Sequence, residues 1–258
     1  MGNYLWVGIA AFIASMLTFF SGFGLGTILM PVFALFFPVE VAIAATAVVH
    51  FLNNIFKFFL IGGKTDREIL LKFGLAAIPA AFAGAYLLIL LSDWNWSYEF
   101  NWLGQAFSIE PVKLVIGLIL LFFGFFEITP VFKNITFDRS KLWLGGIISG
   151  FFGGLSGHQG AMRSAFLINA GMSKEGFIAT GISIALIVDA IRMGIYSAGY
   201  LSSGLFNHFS VILVAIVSAF SGAVIGRFLL KKITFQLIRY VVAIFLMIIG
   251  FGLLLGII

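Results

Sequence analysis

The sequence has no cysteine. Disulfides, thiol nucleophiles and thiolate metal sites are thereby excluded. Charge is scarce as well, with 15 Lys and Arg and 10 Asp and Glu in 258 residues. The net charge of +5 is spread over separate loops, which excludes a basic nucleic-acid-binding face. No phosphate loop, nucleophile elbow, kinase signature or metal-ligand spacing occurs. The chain is therefore not expected to be an enzyme, and no cofactor is implied. The start, Met1-Gly2-Asn3-Tyr4, lacks a basic n-region, and Trp6 stands where a myristoylation signal needs Ser or Thr. Neither a removable signal peptide nor lipidation is expected.

What is present is apolar. Hydrophobic residues make up 62% of the chain, and the mean hydropathy is +1.15. No water-soluble core of this length needs so much apolar surface, so the fold class is all-α and polytopic, with the lipid bilayer as solvent. Apolar segments run over 4–36 (broken at 21–26), 39–61, 69–91, 111–130, 141–170 (broken at 153–160), 176–198, 207–230 and 236–257. The unbroken ones have about the 20 residues that a helix needs to cross.

Residues 92–110 form the only long polar loop. It carries Asp93, Glu99, Glu110 and the interfacial aromatics Trp94, Trp96, Tyr98 and Trp102, but no Lys or Arg. It reads as an outer loop. Three basic groups mark the opposite side: Lys64, Arg67 and Lys72; Lys133, Arg139 and Lys141; Arg227, Lys231, Lys232 and Arg239. The positive-inside rule places all three in the cytoplasm, in the plasma (inner) membrane of a bacterium or archaeon.

A parity argument follows. Between the second and third basic groups the chain returns to the same side, yet three apolar segments intervene. One of them must turn back. The broken segment 141–170 is the candidate, because its arms reach only about 18 and 15 Å as helices, short of a hydrocarbon core of about 30 Å. Residues 171–175 are then expected on the cytoplasmic side. Whether 4–20 crosses fully or belongs to a second re-entrant hairpin stays open. The remaining spans run in opposite senses in the two halves, so the expected architecture is two inverted repeats of about four segments, 1–135 and 136–258. Their broken helices would meet near the midplane, as in transporters. An offset of 134 maps Gly26 onto Gly160 and Ala45-Thr46 onto Ala179-Thr180, and an offset of 126 maps Phe123-Gly124-Phe125 onto Ile249-Gly250-Phe251.

The two breaks are the informative stretches: Ser21-Gly22-Phe23-Gly24-Leu25-Gly26-Thr27, and Gly153-Gly154-Leu155-Ser156-Gly157-His158-Gln159-Gly160. With Pro31, Ala45-Thr46 and Ala179-Thr180-Gly181, they resemble the TauE/SafE family of membrane permeases, the sulfite exporters. The resemblance covers essentially the whole chain. It implies transport, expected as export, of a small anion such as sulfite, a sulfonate or a related sulfur or carboxylate compound. This chain departs from the usual Gly-Thr-Ser triplet at both places, and His158-Gln159 with Arg163 look particular to it.

The residues themselves point the same way. A helix that resumes after a glycine turn presents free backbone N–H groups and the positive end of its dipole, a ready anion site. Gly22, Gly24, Gly26, Gly157 and Gly160 would supply that backbone, and Ser21, Thr27, Ser156, His158, Gln159 and Ser164 further donors. Thr46 and Thr180 occupy the paired small-residue motifs. The alternative is that the glycines only permit close helix packing. Arg163, and Asp189 with Arg192 at i, i+3, are intramembrane charges and so candidate substrate contacts. Against this stand a structural ion pair for the latter two and snorkelling for Arg163. His50, Asn53, Asn54 and Lys57 share one helical face, with Lys57 near enough to the end to snorkel. His50 and His158 raise the prospect of proton coupling. A passive anion channel on the same scaffold, or a non-transporting membrane assembly protein, are the other readings.

Overall fold

The computed structural model describes residues 2–21, 24–102, 104–129, 137–197, 205, 207–229 and 235–258. Gly22, Lys133, Lys231 and Lys232 lie outside the described residues, as do the side chains of Ser21, Arg227 and Arg239. Ten α-helices are found among the described residues: α1 (Gly2–Ser21), α2 (Leu25–Ala34), α3 (Val39–Ile61), α4 (Arg67–Ser92), α5 (Pro111–Ile128), α6 (Leu142–Ser156), α7 (Gly160–Leu167), α8 (Lys174–Ser197), α9 (Phe209–Leu229) and α10 (Phe235–Leu254). Five helical stretches are long and apolar enough to cross a membrane: Val39–Lys64, Arg67–Ser92, Pro111–Ile128, Lys174–Ser197 and Phe209–Gly226.

Local chemistry sets several boundaries. The carboxylate of Asp66 accepts from Ile69 N at 3.0 Å and caps α4. Pro111 occupies the first turn of α5, where its missing N–H costs nothing. Asp138 accepts from Ser140 N at 2.8 Å, and that bond holds its carboxyl below the usual range. The polar 92–110 loop is more ordered than its composition announces. Tyr98–Trp102 (β1) and Gln105–Ile109 (β2) pair antiparallel, with Gly104 at φ +79° in the turn. Phe100 faces Phe107 across the pair, ring centroids 5.5 Å apart.

Two ends of the bundle are defined by contacts. At the basic end Arg139 Nη2 lies 2.8 Å from Glu68 and Lys64 Nζ 3.8 Å from Glu175. At the hairpin end the Tyr4 hydroxyl is 2.9 Å from Ser210 Oγ, and the rings of Phe37 and His208 are 4.3 Å apart. These contacts trace both broken segments. The α6–α7 segment leaves the basic end and returns to it, with Phe137 N donating to the Ala165 carbonyl at 3.3 Å. The α1–α2 segment starts beside Ser210 and ends beside His208, so it leaves and returns to the hairpin end.

Glycine faces set the closest approaches. On α6, Gly146, Gly150 and Gly154 lie directly against the backbone of Phe73, Ala77 and Ala81 of α4, so the two helices run parallel and an added Cβ would strike main chain. On α9, Gly222 and Gly226 meet Phe12 and Met16 of α1 in the same parallel sense. Between α5 and α10, Gly117 and Gly250 each face the other's carbonyl, an added Cβ falling 2.9 Å away in both directions. The helical break over 153–160 is therefore shorter than its composition suggests. Gly153 and Gly154 are helix interior and serve packing, and only Gly157–Gln159 interrupts the helix.

Candidate functional site

The second break is built around Gly157. At φ +82° it is the left-handed C-cap of α6, and its N–H donates to the carbonyls of Phe152 and Gly153. An added Cβ there would come within 2.6 Å of Arg192 Nη1. Glycine is required twice over, for its backbone angle and for the approach of the guanidinium. The first break touches the second: a Cβ on Gly26 would lie 3.3 Å from the Gly157 carbonyl oxygen and 3.5 Å from Thr46 Cγ2. Sequence spacing alone could pair these two breaks only by analogy; the fold brings them into contact.

Beside this crossing sits a buried polar network centred on Asp189 of α8. Asp189 Oδ2 accepts from His50 Nδ1 at 2.6 Å and from Asn54 Nδ2 at 3.2 Å. Asp189 Oδ1 accepts from Arg192 Nε at 3.0 Å and, at the long limit of 3.5 Å, from Gln159 Nε2. Arg192 Nη2 is 2.9 Å from Oδ1, yet its N–H groups are misaligned, so this approach is an ion pair rather than a hydrogen bond. Asp189 and Arg192 are both fully buried. The i, i+3 pair expected from the sequence exists, but the carboxylate is shared by α3, α8 and the break at Gln159 and is not the property of Arg192 alone.

Next to the network, toward the basic end, a cavity opens between α1, α2, α3, α7 and α8. Its walls include Thr18, Gly24, His50, Asn54, Lys57, Arg163, Ser164 and Gly181. It offers about 40 Å³ to the centres of water molecules, several times the roughly 10–15 Å³ that one water needs. Among the described residues no carboxylate lines it, whereas Lys57 and Arg163 do. Arg163 is 7% exposed and Lys57 4%, so neither snorkels. Arg163 Nη1 has no hydrogen-bond partner among the described residues, and its Nε would lie 3.4 Å from a Cβ placed on Gly181. The second half of the Ala-Thr-Gly motif thus supplies the flat bed on which this guanidinium rests.

The remaining candidates have other places. Asn53 Oδ1 accepts from Ser15 Oγ at 3.1 Å, so it faces α1 although it shares a helix with His50. Thr180 Oγ1 accepts from Asp66 N at 2.9 Å and ties α8 to the start of α4, outside the cavity. Thr46 is buried and its hydroxyl has no partner among the described residues, and Thr27 and Gly160 lie in the first turns of α2 and α7. Ser156 Oγ donates to the Phe152 carbonyl at 3.1 Å. His158 Nδ1 lies 3.2 Å from the Ser156 carbonyl and its ring stacks on Phe123, so this histidine does not line the cavity. Tyr196 was not named from the sequence, and Lys57 was named only for sharing the face of His50. Tyr196 donates to the Gly154 carbonyl and locks α8 to α6. Lys57 was visible as the i+7 partner of His50, but its depth depends on neighbours that sequence does not name.

Residues 7–253 match the family model described as Sulfite exporter TauE/SafE. No curated protein and no solved structure matches the chain. The match covers nearly the whole sequence, both breaks and all five long apolar stretches. The chain is accordingly an integral membrane protein that belongs to the TauE/SafE sulfite exporter family, whose members are membrane transporters rather than enzymes.

Proposed function

We propose that this protein is a secondary transporter that exports a small anion, either sulfite, a sulfonate or a related sulfur or carboxylate compound. The anion binds in the cavity between the first break and α7–α8. The observation that carries this reading is the charge of the wall: Arg163 and Lys57 line it, His50 adds a donor, and no acid does. An anion leaving water must exchange its hydration for fixed dipoles and at least one cation, and this cavity supplies both. His158 and Thr180 are supporting residues in this reading, not contacts.

The alternating-access device is an inverted repeat, 1–135 against 136–258. Its support is the pairing of helices. α1 packs on α9 as α6 packs on α4, both pairs parallel and glycine-faced, while α3 meets α8 and α5 meets α10. The two broken segments enter from opposite ends. Rocking one half on the other would expose the cavity to each side in turn.

The test is counterflow in proteoliposomes. Vesicles loaded with unlabelled sulfite or methanesulfonate should take up the labelled anion faster than empty ones, because a carrier exchanges and a channel does not. Equal rates in loaded and empty vesicles would remove the carrier reading in favour of a passive pathway, and no flux of either anion would remove transport of this class.

The basic end is assigned to the cytoplasm of a bacterial or archaeal plasma membrane, and the β1–β2 hairpin to the outside, by the positive-inside rule. The absence of native cysteine makes the assay clean. Single cysteines at Lys64 and Lys174 should both resist an impermeant thiol reagent applied to intact cells, and one at Asn101 should react. Labelling of position 174 but not 64 from outside would show that α6–α7 crosses rather than turning back.

A further inference from the structure

His50 lines the cavity with its ring held to Asp189 at Nδ1 and with Asn54 Nδ2 lying 3.4 Å from Nε2. Its Nδ1 lies 2.6 Å from Asp189 Oδ2, and a carboxylate only accepts, so Nδ1 carries the hydrogen. Its Nε2 is then the basic nitrogen. That atom points to the first break, 3.5 Å from the place of a Cβ on Gly24, on the cavity wall. This is the arrangement by which a carboxylate fixes the tautomer of an imidazole and stabilises the imidazolium formed when the far nitrogen takes a proton. The charged groups around the ring are Asp189 and Arg192 from α8, Arg163 from α7 and Lys57 from its own helix, with Asn54 and Gln159 as neutral polar neighbours.

We propose that His50, oriented by Asp189, carries a proton that moves together with the transported anion. The inference rests on reading the cavity as the anion site. The step is a plain proton transfer: a hydronium ion reaching the cavity gives its proton to the Nε2 lone pair and is left as water, and the His50–Asp189 unit passes from one negative charge to zero. With the cavity empty, Arg163, Lys57 and Arg192 oppose protonation by repulsion. An anion beside them cancels that repulsion, so anion and proton each raise the affinity of the other. A divalent oxyanion then crosses as a net monovalent load, which an inside-negative potential still drives outward. His158 has no part in this, because its ring is packed on Phe123 and against Ser156, away from the cavity.

The experiment follows protons and anion together in weakly buffered proteoliposomes, with methanesulfonate as the probe because it stays ionised and carries no proton of its own. The intact protein should move about one proton with each anion down an anion gradient. In His50→Gln the protons moved per anion should fall at least tenfold, whatever the remaining anion rate. His158→Gln should keep the ratio of the intact protein. Anion flux without proton movement in the intact protein, an unchanged ratio in His50→Gln, or a lost ratio in His158→Gln would each overturn the proposal. Absence of any anion flux would instead strike the transport reading itself. Where His50→Gln fails to fold or to move anion, the ring can be watched directly. The chain has 3 histidines, and nitrogen-15 spectra of the reconstituted protein, assigned with His158→Gln and His208→Gln, isolate His50. That ring should take up a proton more readily when the anion is present, the midpoint of its titration moving to higher pH when methanesulfonate is added. A ring that stays neutral throughout, or a midpoint indifferent to the anion, refutes the assignment.

Discussion

Arg163→Gln is expected to weaken anion binding roughly tenfold to a hundredfold while leaving the fold intact. A hydrogen bond to a charged group contributes about 1.5–3 kcal/mol, and Arg163 lines the cavity with a nitrogen, Nη1, that has no partner among the described residues. Its replacement removes charge without stranding an acid, since Asp189 is already held by His50, Asn54 and Arg192. Glutamine keeps a polar head of similar reach over Gly181. Binding is measured on the purified protein by displacement of a labelled sulfonate, and folding by thermal stability in detergent. Unchanged affinity, with Lys57→Gln abolishing binding, would move the anion's cation from α7 to α3.

The second large effect concerns stability and has an asymmetry that only the three-dimensional network predicts. From sequence, Asp189 and Arg192 form an isolated pair, and Arg192→Gln would leave a buried carboxylate alone. In the structure Asp189 keeps His50 at 2.6 Å and Asn54 at 3.2 Å when Arg192 is gone. The reverse does not hold. Asp189 is the only acid in contact with the fully buried Arg192 among the described residues, so Asp189→Asn strands a guanidinium. Breaking a buried pair on the unsupported side costs about 3–5 kcal/mol, and the supported side should lose clearly less. Asp189→Asn is thus expected to be the most destabilised variant, Arg192→Gln the milder, and the double substitution more stable than Asp189→Asn alone. Thermal unfolding of the three variants decides it, and an Arg192→Gln protein less stable than Asp189→Asn would contradict the network.

Much of the second break was readable because glycine and polar residues inside an apolar run have few explanations. Its length was not. Gly153 and Gly154 look identical to Gly157 in the sequence, but Gly154 meets the backbone of Ala81 while Gly157 turns the chain at φ +82°. The distinction depends on whether another helix lies alongside, and α4 is some seventy residues away along the chain. The same limit explains Lys57. Its helical phase placed it with His50, but snorkelling and burial differ only in what stands at the end of α3, and here that is α7 and α8. The hairpin in 92–110 escaped because its aromatics signal an interface as readily as a strand.

The sequence by itself determined the solvent of this protein, the places of its spans, the two interruptions and the asymmetry of its loops, because each follows from local composition and from the fixed length of a membrane-crossing helix. It also determined that Asp189 and Arg192 meet, since i, i+3 neighbours share a helix face whatever surrounds them. Tertiary structure alone decided that His50 reaches Asp189 across 139 positions, that Asn53 turns to α1 while Asn54 turns to α8, and that Arg163 lies over Gly181 beside an acid-free cavity. The physical reason is the uniformity of the helices. A helix apolar on every side carries no hydrophobic period to say which face meets lipid and which meets protein, so the partners of its few polar groups are fixed by the packing of small residues against neighbouring backbones.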